Sequence, residues 1–261
     1  MIQYDRYKDG KRNVLTMSYD DGRIYDRRLV EIFNKYGIRA TFHLSSSKLG
    51  EEGYISPDEV GELYKGHEVS CHTVHHPDLC SLPPQCVINE IYEDRKALEK
   101  LCGYIVRGMS WPFSNYNDEV ISIAAQCGIK YVRCGDVTKA FYAPDNFMAW
   151  TPTCHHRDCL ALASDFLKRE GRSSLFYVWG HSYEFDLNNN FDTIEEFCKI
   201  MGGNETVWYA TNIEIYDYIM AQRALHISAD CKKIYNPSVI DVWLNCDEKT
   251  VKIPSGETVV L

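Results

Sequence analysis

The sequence predicts an α/β barrel of parallel strands with helices outside, closed or nearly closed, followed by a small C-terminal β appendix. Three observations predict it. Short apolar runs alternate with amphipathic segments from residue 13 to residue 223, and that alternation implies parallel strands joined by helical crossovers. About seven such units fit within 261 residues, the span of a single barrel. From about Ala229 the pattern changes to short β-like runs between turn signals, too few residues to enclose a core of their own. Residues 1–228 are therefore expected as the barrel and 229–261 as an appendix packed on it.

The elements follow in order. Asn13–Ser18 reads as a buried strand. Asp26–Tyr36 places Leu29, Ile32 and Phe33 on one helical face, with Gly37 as its stop. Ile38–Leu44 returns as a strand. Ser56-Pro57 opens a helix, serine as N-cap and proline in the first position, that ends near Gly66. Strands His67–Cys71, Tyr104–Ser110, Ile129–Arg133, Ser174–Trp179 and Thr206–Tyr209 alternate with helices Pro84–Leu101, Asn117–Cys127, Asp158–Glu170, Thr193–Met201 and Asn212–Arg223. In the tail, Ile234, Val239–Leu244, Val251–Ile253 and Val259–Leu261 are the β-like runs.

Composition narrows the function. A net charge of −9 without a basic run argues against nucleic acid, whose phosphates need clustered Lys and Arg. Eighteen Tyr, ten Phe and five Trp suit sugar faces as well as cores. The eleven cysteines contain no CxxC pair; reduced, mostly buried thiols are expected rather than a zinc knuckle. No apolar signal core opens the chain and no run approaches a membrane span. A cytoplasmic chain is expected, although a secreted one already trimmed of its leader looks the same.

In such barrels chemistry sits at the C-terminal ends of the strands. Asp20-Asp21-Gly22 directly follows the first strand, and adjacent carboxylates stay ionised together most readily beside a cation, although Asp-Gly is also a routine turn. His72-Thr73-Val74-His75-His76 directly follows the strand ending at Cys71. On a helical or turn-like backbone His72 and His76 share one face and grip one ion, with His72 and His75 as the competing pair. Two neutral imidazoles and one carboxylate make a three-ligand site with open positions, leaving the second carboxylate as a base. His181, after Trp179-Gly180 at another strand end, suits the acid.

The order Ser18-Tyr19-Asp20-Asp21-Gly22, then His72 to His76, then a strand ending in His181, resembles the polysaccharide deacetylase family, the NodB-homology domain of carbohydrate esterase family four. Ala40-Thr41-Phe42 looks like that family's second strand, and the similarity spans roughly residues 13–225. The resemblance implies a distorted (β/α)7 barrel, Asp20 as catalytic base, His181 as acid, and Asp21, His72 and His76 as ligands of one divalent ion. Zinc is the expected ion, with cobalt, manganese, iron or nickel compatible.

The sequence also departs from the family. Ser110 in Ser110-Trp111-Pro112-Phe113-Ser114 stands where an arginine that orients the base is usual; Arg107 and Arg133 are the candidate substitutes. Trp179 replaces the usual leucine two residues before the acid. No Asp-x-x-Asp-Trp segment is recognisable, which leaves Asp136 and Glu184 as candidate partners of His181. Trp111, Pro112, Phe113, Trp179, His155, His156, Tyr183 and Glu184 complete the candidate substrate contacts. As a second metal site His155-His156 lacks a nearby carboxylate other than Asp158. The expected activity is metal-dependent removal of an N- or O-acetyl group from a sugar or small glycoconjugate, a hydrolase of non-peptide carbon–nitrogen bonds or of carboxylic esters. A hydrolase of a non-sugar amide or cyclic imide, and a non-catalytic carbohydrate binder on the same scaffold, are the alternatives.

Overall fold

The computed structural model describes residues 1–169, 171 and 173–261. Among the described residues eight parallel strands carry the barrel: β1 (Asn13–Asp20), β2 (Ala40–Leu44), β3 (Glu68–Cys71), β4 (Gly108–Ser110), β5 (Tyr131–Arg133), β6 (Cys154–His155), β7 (Ser174–His181) and β8 (Val207–Tyr209). Seven of them lie in the order β5-β4-β3-β2-β1-β7-β6. β8 shares an edge of β1 with β2: Asn13–Leu15 pair with β8, and Met17–Asp20 pair with β2. The chain from Trp150 to His155 bridges the remaining gap. Trp150 N donates to Val132 O at 2.9 Å, while Cys154 and His155 pair with Val178 and Trp179 of β7. The result is the distorted (β/α)7 barrel that the resemblance implies.

β1 is buried along its whole length, because helices cover it on one side and the barrel interior on the other. The helices are α1 (Asp26–Tyr36), α2 (Val60–Leu63), α3 (Pro84–Cys102), α4 (Asp118–Gln126), α5 (Cys159–Leu167), α6 (Ser182–Leu187), α7 (Phe191–Met201) and α8 (Asn212–Arg223). α1 buries Leu29, Val30, Ile32 and Phe33 and stops where Gly37 turns left-handed at φ 68°. The helix expected after Ser56 is a capping box and one tight turn, Pro57–Glu59, before the four residues of α2.

Several boundaries differ from the sequence expectation. The strand expected over Tyr104–Ser110 is only β4, because Tyr104 and Ile105 face solvent. α5 starts after Asp158, and Glu170, where that helix was expected to end, lies outside the described residues. β7 runs on to His181. Neither β6, two residues long, nor α6, six residues long, reaches a length at which periodicity is readable.

The tail forms two three-stranded antiparallel sheets. Val242–Cys246 pairs with Lys249–Ile253 on one edge and with Ile2–Gln3 on the other. Lys233–Tyr235 lies between His226–Ile227 and Thr258–Val260. Val242, Leu244 and Ile253 join Val14, Leu175 and Trp208 in one apolar cluster. Those barrel residues lie at the starts of their strands, so the tail covers the N-terminal end of the barrel and leaves the opposite rim open. All eleven cysteines are free thiols. No described helix is long and apolar enough to cross a membrane.

Candidate active site

The open rim gathers the C-terminal ends of β1, β3, β4, β5 and β7 around a cavity of about 640 Å³. Parallel register sets the first relation. Asp20, the last residue of β1, is the register partner of His181, the last residue of β7. Asp20 is buried, and both its oxygens are engaged. Oδ1 accepts from Ser110 Oγ at 3.3 Å, and Oδ2 accepts from Arg133 Nη2. Burial pushes the Asp20 carboxyl up, but Arg133, then His72, His43 and His181, outweigh it and hold Asp20 well below the usual carboxylate range. Asp20 is thus a fixed, ionised carboxylate.

Asp21 follows with φ 80°, a left-handed conformation that turns its side chain away from that of Asp20 and leaves it partly exposed. Its N–H donates to His43 O at 2.9 Å. His72, just after β3, is buried, with Nε2 3.8 Å from Asp21 Oδ1 and 3.7 Å from Asp20 Oδ2. Its other nitrogen, Nδ1, lies 3.1 Å from the carbonyl oxygen of Ser110 and 2.7 Å from the Ser110 hydroxyl. A carbonyl only accepts, so the ring proton belongs on Nδ1 and the Nε2 lone pair is free. Burial lowers the imidazole pKa, against the pull of Asp20 and Asp21, which keeps it neutral for a cation.

His76 reaches the same point by a route other than a helical turn. Thr73 and His76 are both left-handed, at φ 66° and 57°, and the His76 N–H donates to Thr73 Oγ1 at 3.0 Å. The rings of His72 and His76 meet at 4.5 Å between centroids. His75 instead points to α3, where its Nδ1 lies 2.6 Å from Glu90 Oε1. Donor atoms of Asp21, His72 and His76 lie within 4.8 Å of one another. A carboxylate and two imidazoles at that spacing, with a lone pair already freed on His72, fit a divalent cation.

The family model for polysaccharide deacetylase matches residues 7–132. Over those residues, just under half of the chain, the chain is similar to the polysaccharide deacetylase family. Peptidoglycan-N-acetylglucosamine deacetylase PgdA of Listeria monocytogenes is 30% identical over 151 residues, 52% of this chain and 30% of that protein. The chain spans about half or less of the curated relatives it matches first. Among solved structures, one from Mycobacterium smegmatis named for this family covers 83% of the chain and is itself 93% covered. It has a TM-score of 0.64 and 14% identity. A Bacillus anthracis pseudoenzyme of carbohydrate esterase family four covers 80% of the chain, with 66% of its own length covered, a TM-score of 0.52 and 18% identity. These structural likenesses concern the fold.

Against that family's pattern the absent third-motif arginine is the main irregularity, and the geometry shows what stands beside Asp20 instead. Arg133 reaches Asp20 from the end of the neighbouring β5, with its guanidinium 4.3 Å over the Trp179 ring. Ser110 donates to Asp20 and accepts from His72, linking the base candidate to a ligand candidate. Arg107 is corrected as a base-orienting candidate. It precedes β4, at the opposite end of the barrel, and forms a two-pronged pair with Asp217 at 2.8 and 2.6 Å.

Around His181, Glu184 is the acidic neighbour, with Oε1 3.5 Å from Nδ1; Asp136 makes no hydrogen bond or ion pair with it among the described residues. Burial lowers the His181 pKa, but the neighbouring Glu184 carboxylate and the charges of Asp20 and Asp21 raise it overall above 6.5. Of the substrate-contact candidates, Trp111, Phe113, Trp179 and Tyr183 line the cavity. Pro112 is buried in the turn that presents Phe113 at φ 55°. His155 and His156 are buried off the cavity lining and are corrected as direct contacts; the half-buried Glu184 turns its carboxylate to His181. Ser45, Lys48, Tyr54 and Ser114 also line the cavity. Ser45, Lys48 and Tyr54 lie in connections whose sequence carries no motif, whereas Ser114 ends the Ser110–Ser114 segment.

Proposed function

We propose that this chain is a cation-dependent deacetylase that hydrolyses an N- or O-acetyl group on a sugar or small glycoconjugate. The observation that carries the proposal is the pairing of Asp20 and His181 on adjacent strand ends, facing one cavity beside three converged donors. Asp21, His72 and His76 would hold the ion; a set of two nitrogens and one oxygen suits zinc, with cobalt, manganese, iron and nickel compatible. When bound, the cation supplies Lewis acidity to the acetyl carbonyl and acidity to water.

The chain's own residues do the rest. Asp20, ionised and held at both oxygens, takes a proton from the water that forms the new carbon–oxygen bond. His181 gives a proton to the amine or alkoxide oxygen as its bond to the acetyl carbon breaks, releasing acetate. Because Nδ1 of His181 faces Glu184, Nε2 is the atom available to the leaving group. Phe113, Trp179 and Tyr183 offer faces and edges to a sugar ring, while Trp111 is buried beneath the cavity floor. The polysaccharide deacetylase relationship and the N-acetylated amino sugar in the name of the Listeria relative support this substrate class.

The test pairs elemental analysis of the purified protein with acetate release from a panel of N- and O-acetylated sugars. About one ion per chain and acetate release are expected, and Asp20→Asn should keep the ion while turnover falls by roughly 10² or more. The pH profile should be bell-shaped, its acid limb well below the usual carboxylate range and its alkaline limb above 6.5. The pseudoenzyme on the same fold motivates a second reading, binding without turnover. No acetate from any substrate at saturating cation would favour it, and ring opening without acetate would favour a cyclic amide instead.

A further inference from the structure

Two histidine pairs face two carboxylates in this molecule, and the partners of their ring nitrogens separate their roles. In the first pair, Ser110 fixes the His72 proton on Nδ1 and leaves Nε2 bare. In the second, His155 Nδ1 accepts the N–H of Arg157 at 3.4 Å. A nitrogen that accepts carries no proton, so neutral His155 bears its proton on Nε2, 3.0 Å from Glu184 Oε2. His156 Nε2 lies 3.2 Å from the same oxygen. Burial first, then His155, keeps His156 neutral, its pKa lowered to about 3. Its Nδ1 is buried without a partner among the described residues, which costs less as a bare lone pair than as an unmet N–H donor. Donor atoms of His155, His156 and Glu184 lie within 4.8 Å of one another, yet a His155 Nε2 that carries the ring proton has no lone pair to offer an ion there.

The surroundings are built to hold that arrangement. His156 stacks on Phe185 at 4.1 Å and on Tyr19 at 5.9 Å. The edge of Trp179 meets His155 at 5.1 Å. Gly180 is the space His156 occupies, since a Cβ there would lie 2.0 Å from its Nδ1. Glu184 is on the first turn of α6, three residues after His181, and turns its other oxygen to His181 Nδ1.

We propose that His155 and His156 are positioning residues that pin Glu184, so that Glu184 holds the His181 ring with Nε2 toward the cavity, and that they bind no cation. The proposal rests on the reading of His181 as the acid. The experiment compares His155→Leu, His156→Leu and His155→Gln with wild type on an N-acetyl sugar and on 4-nitrophenyl acetate, whose leaving group needs no proton. The leucine variants should lose about tenfold or more in kcat on the sugar. KM, ion content and turnover of the aryl ester should stay near wild type. Glutamine at 155, which keeps a donor at the Nε2 position, should restore most of the loss. Equal loss on both substrates marks a merely structural role and overturns the proposal. So does a second ion per chain that leaves with either leucine variant. Nitrogen NMR of the histidine rings reads the proposal independently of turnover: a proton on Nδ1 of His155 overturns it. A wild type inactive on every acetyl sugar sinks the deacetylase reading instead.

Discussion

At the scale of single residues, the exchange of an arginine between strands is the clearest feature of this chain. A buried carboxylate without a counter-charge protonates, so a base at Asp20 needs a cation within reach. Ser110 cannot supply it and Arg133 does. Arg133→Met should retain the ion, lower kcat by roughly 10² and move the acid limb of the pH profile upward, because the charge that depresses the Asp20 carboxyl is gone. It should also destabilise the fold by about 3–5 kcal/mol, the usual cost of orphaning a buried charge. Arg107→Met, which removes only a half-exposed surface pair, should leave kcat within about twofold and cost no more than about 1 kcal/mol. Kinetics and urea denaturation of both variants check this; similar losses in the two would remove Arg133 from its role. The sequence offers both arginines near strands but does not say which end of a strand each occupies. Arg133 is the last residue of β5, and Arg107 comes before β4 begins.

At the scale of elements, the turn that carries the two candidate ligands shows what spacing can and cannot tell. Two histidines four residues apart suggest a helical face, and the rings do converge, but through two left-handed residues and one hydrogen bond from His76 N to Thr73 Oγ1. Thr73→Val keeps the shape and removes that acceptor, a change worth about 1 kcal/mol. It should weaken cation affinity by roughly fivefold while kcat at saturating cation stays near wild type. Titration of the ion-free protein with Zn2+ measures it, and an unchanged affinity would mean that Thr73 does not set the position of His76. The same contrast runs through the whole barrel. α1 and α8 were legible to the residue, because each buries a continuous face or carries a strong cap. The Tyr104–Ile105 run misled because apolar residues on the surface look the same in sequence as those inside. β6 and α6 were invisible because they are shorter than any period, and without α6 the choice between Glu184 and Asp136 as the partner of His181 stayed open in the sequence.

At the scale of the whole molecule, the interior beneath the cavity stores a pH dependence that the rim does not reveal. Glu68 opens β3 and is buried. Its carboxyl accepts from Thr41 Oγ1 of β2 at 2.9 Å, from Tyr131 Oη of β5 at 2.8 Å and from Ile213 N at the start of α8 at 2.9 Å. One side chain thus ties three strands and a helix together. Burial raises its pKa from 4.5 to about 7, against the lowering effect of those donors. Below pH 4.5 the group is protonated in both the folded and the unfolded chain. Between 4.5 and 7 the unfolded chain has released its proton and the folded chain retains it, so stability falls as pH rises through that window. Above 7 both states are ionised and the contribution is level. The full swing is about 3 kcal/mol. Glu68→Gln keeps the size and most of the hydrogen bonding but cannot titrate. Other buried carboxyls, Asp26 and Asp94, shift in the same direction and are common to both proteins, so the difference between wild type and Glu68→Gln isolates one group. Urea denaturation from pH 4.5 to 8 should show wild type losing stability relative to the variant up to pH 7 and running parallel to it beyond. Curves parallel across the whole range would mean that the three donors hold Glu68 ionised, and that the centre of the barrel carries a fixed negative charge below Asp20.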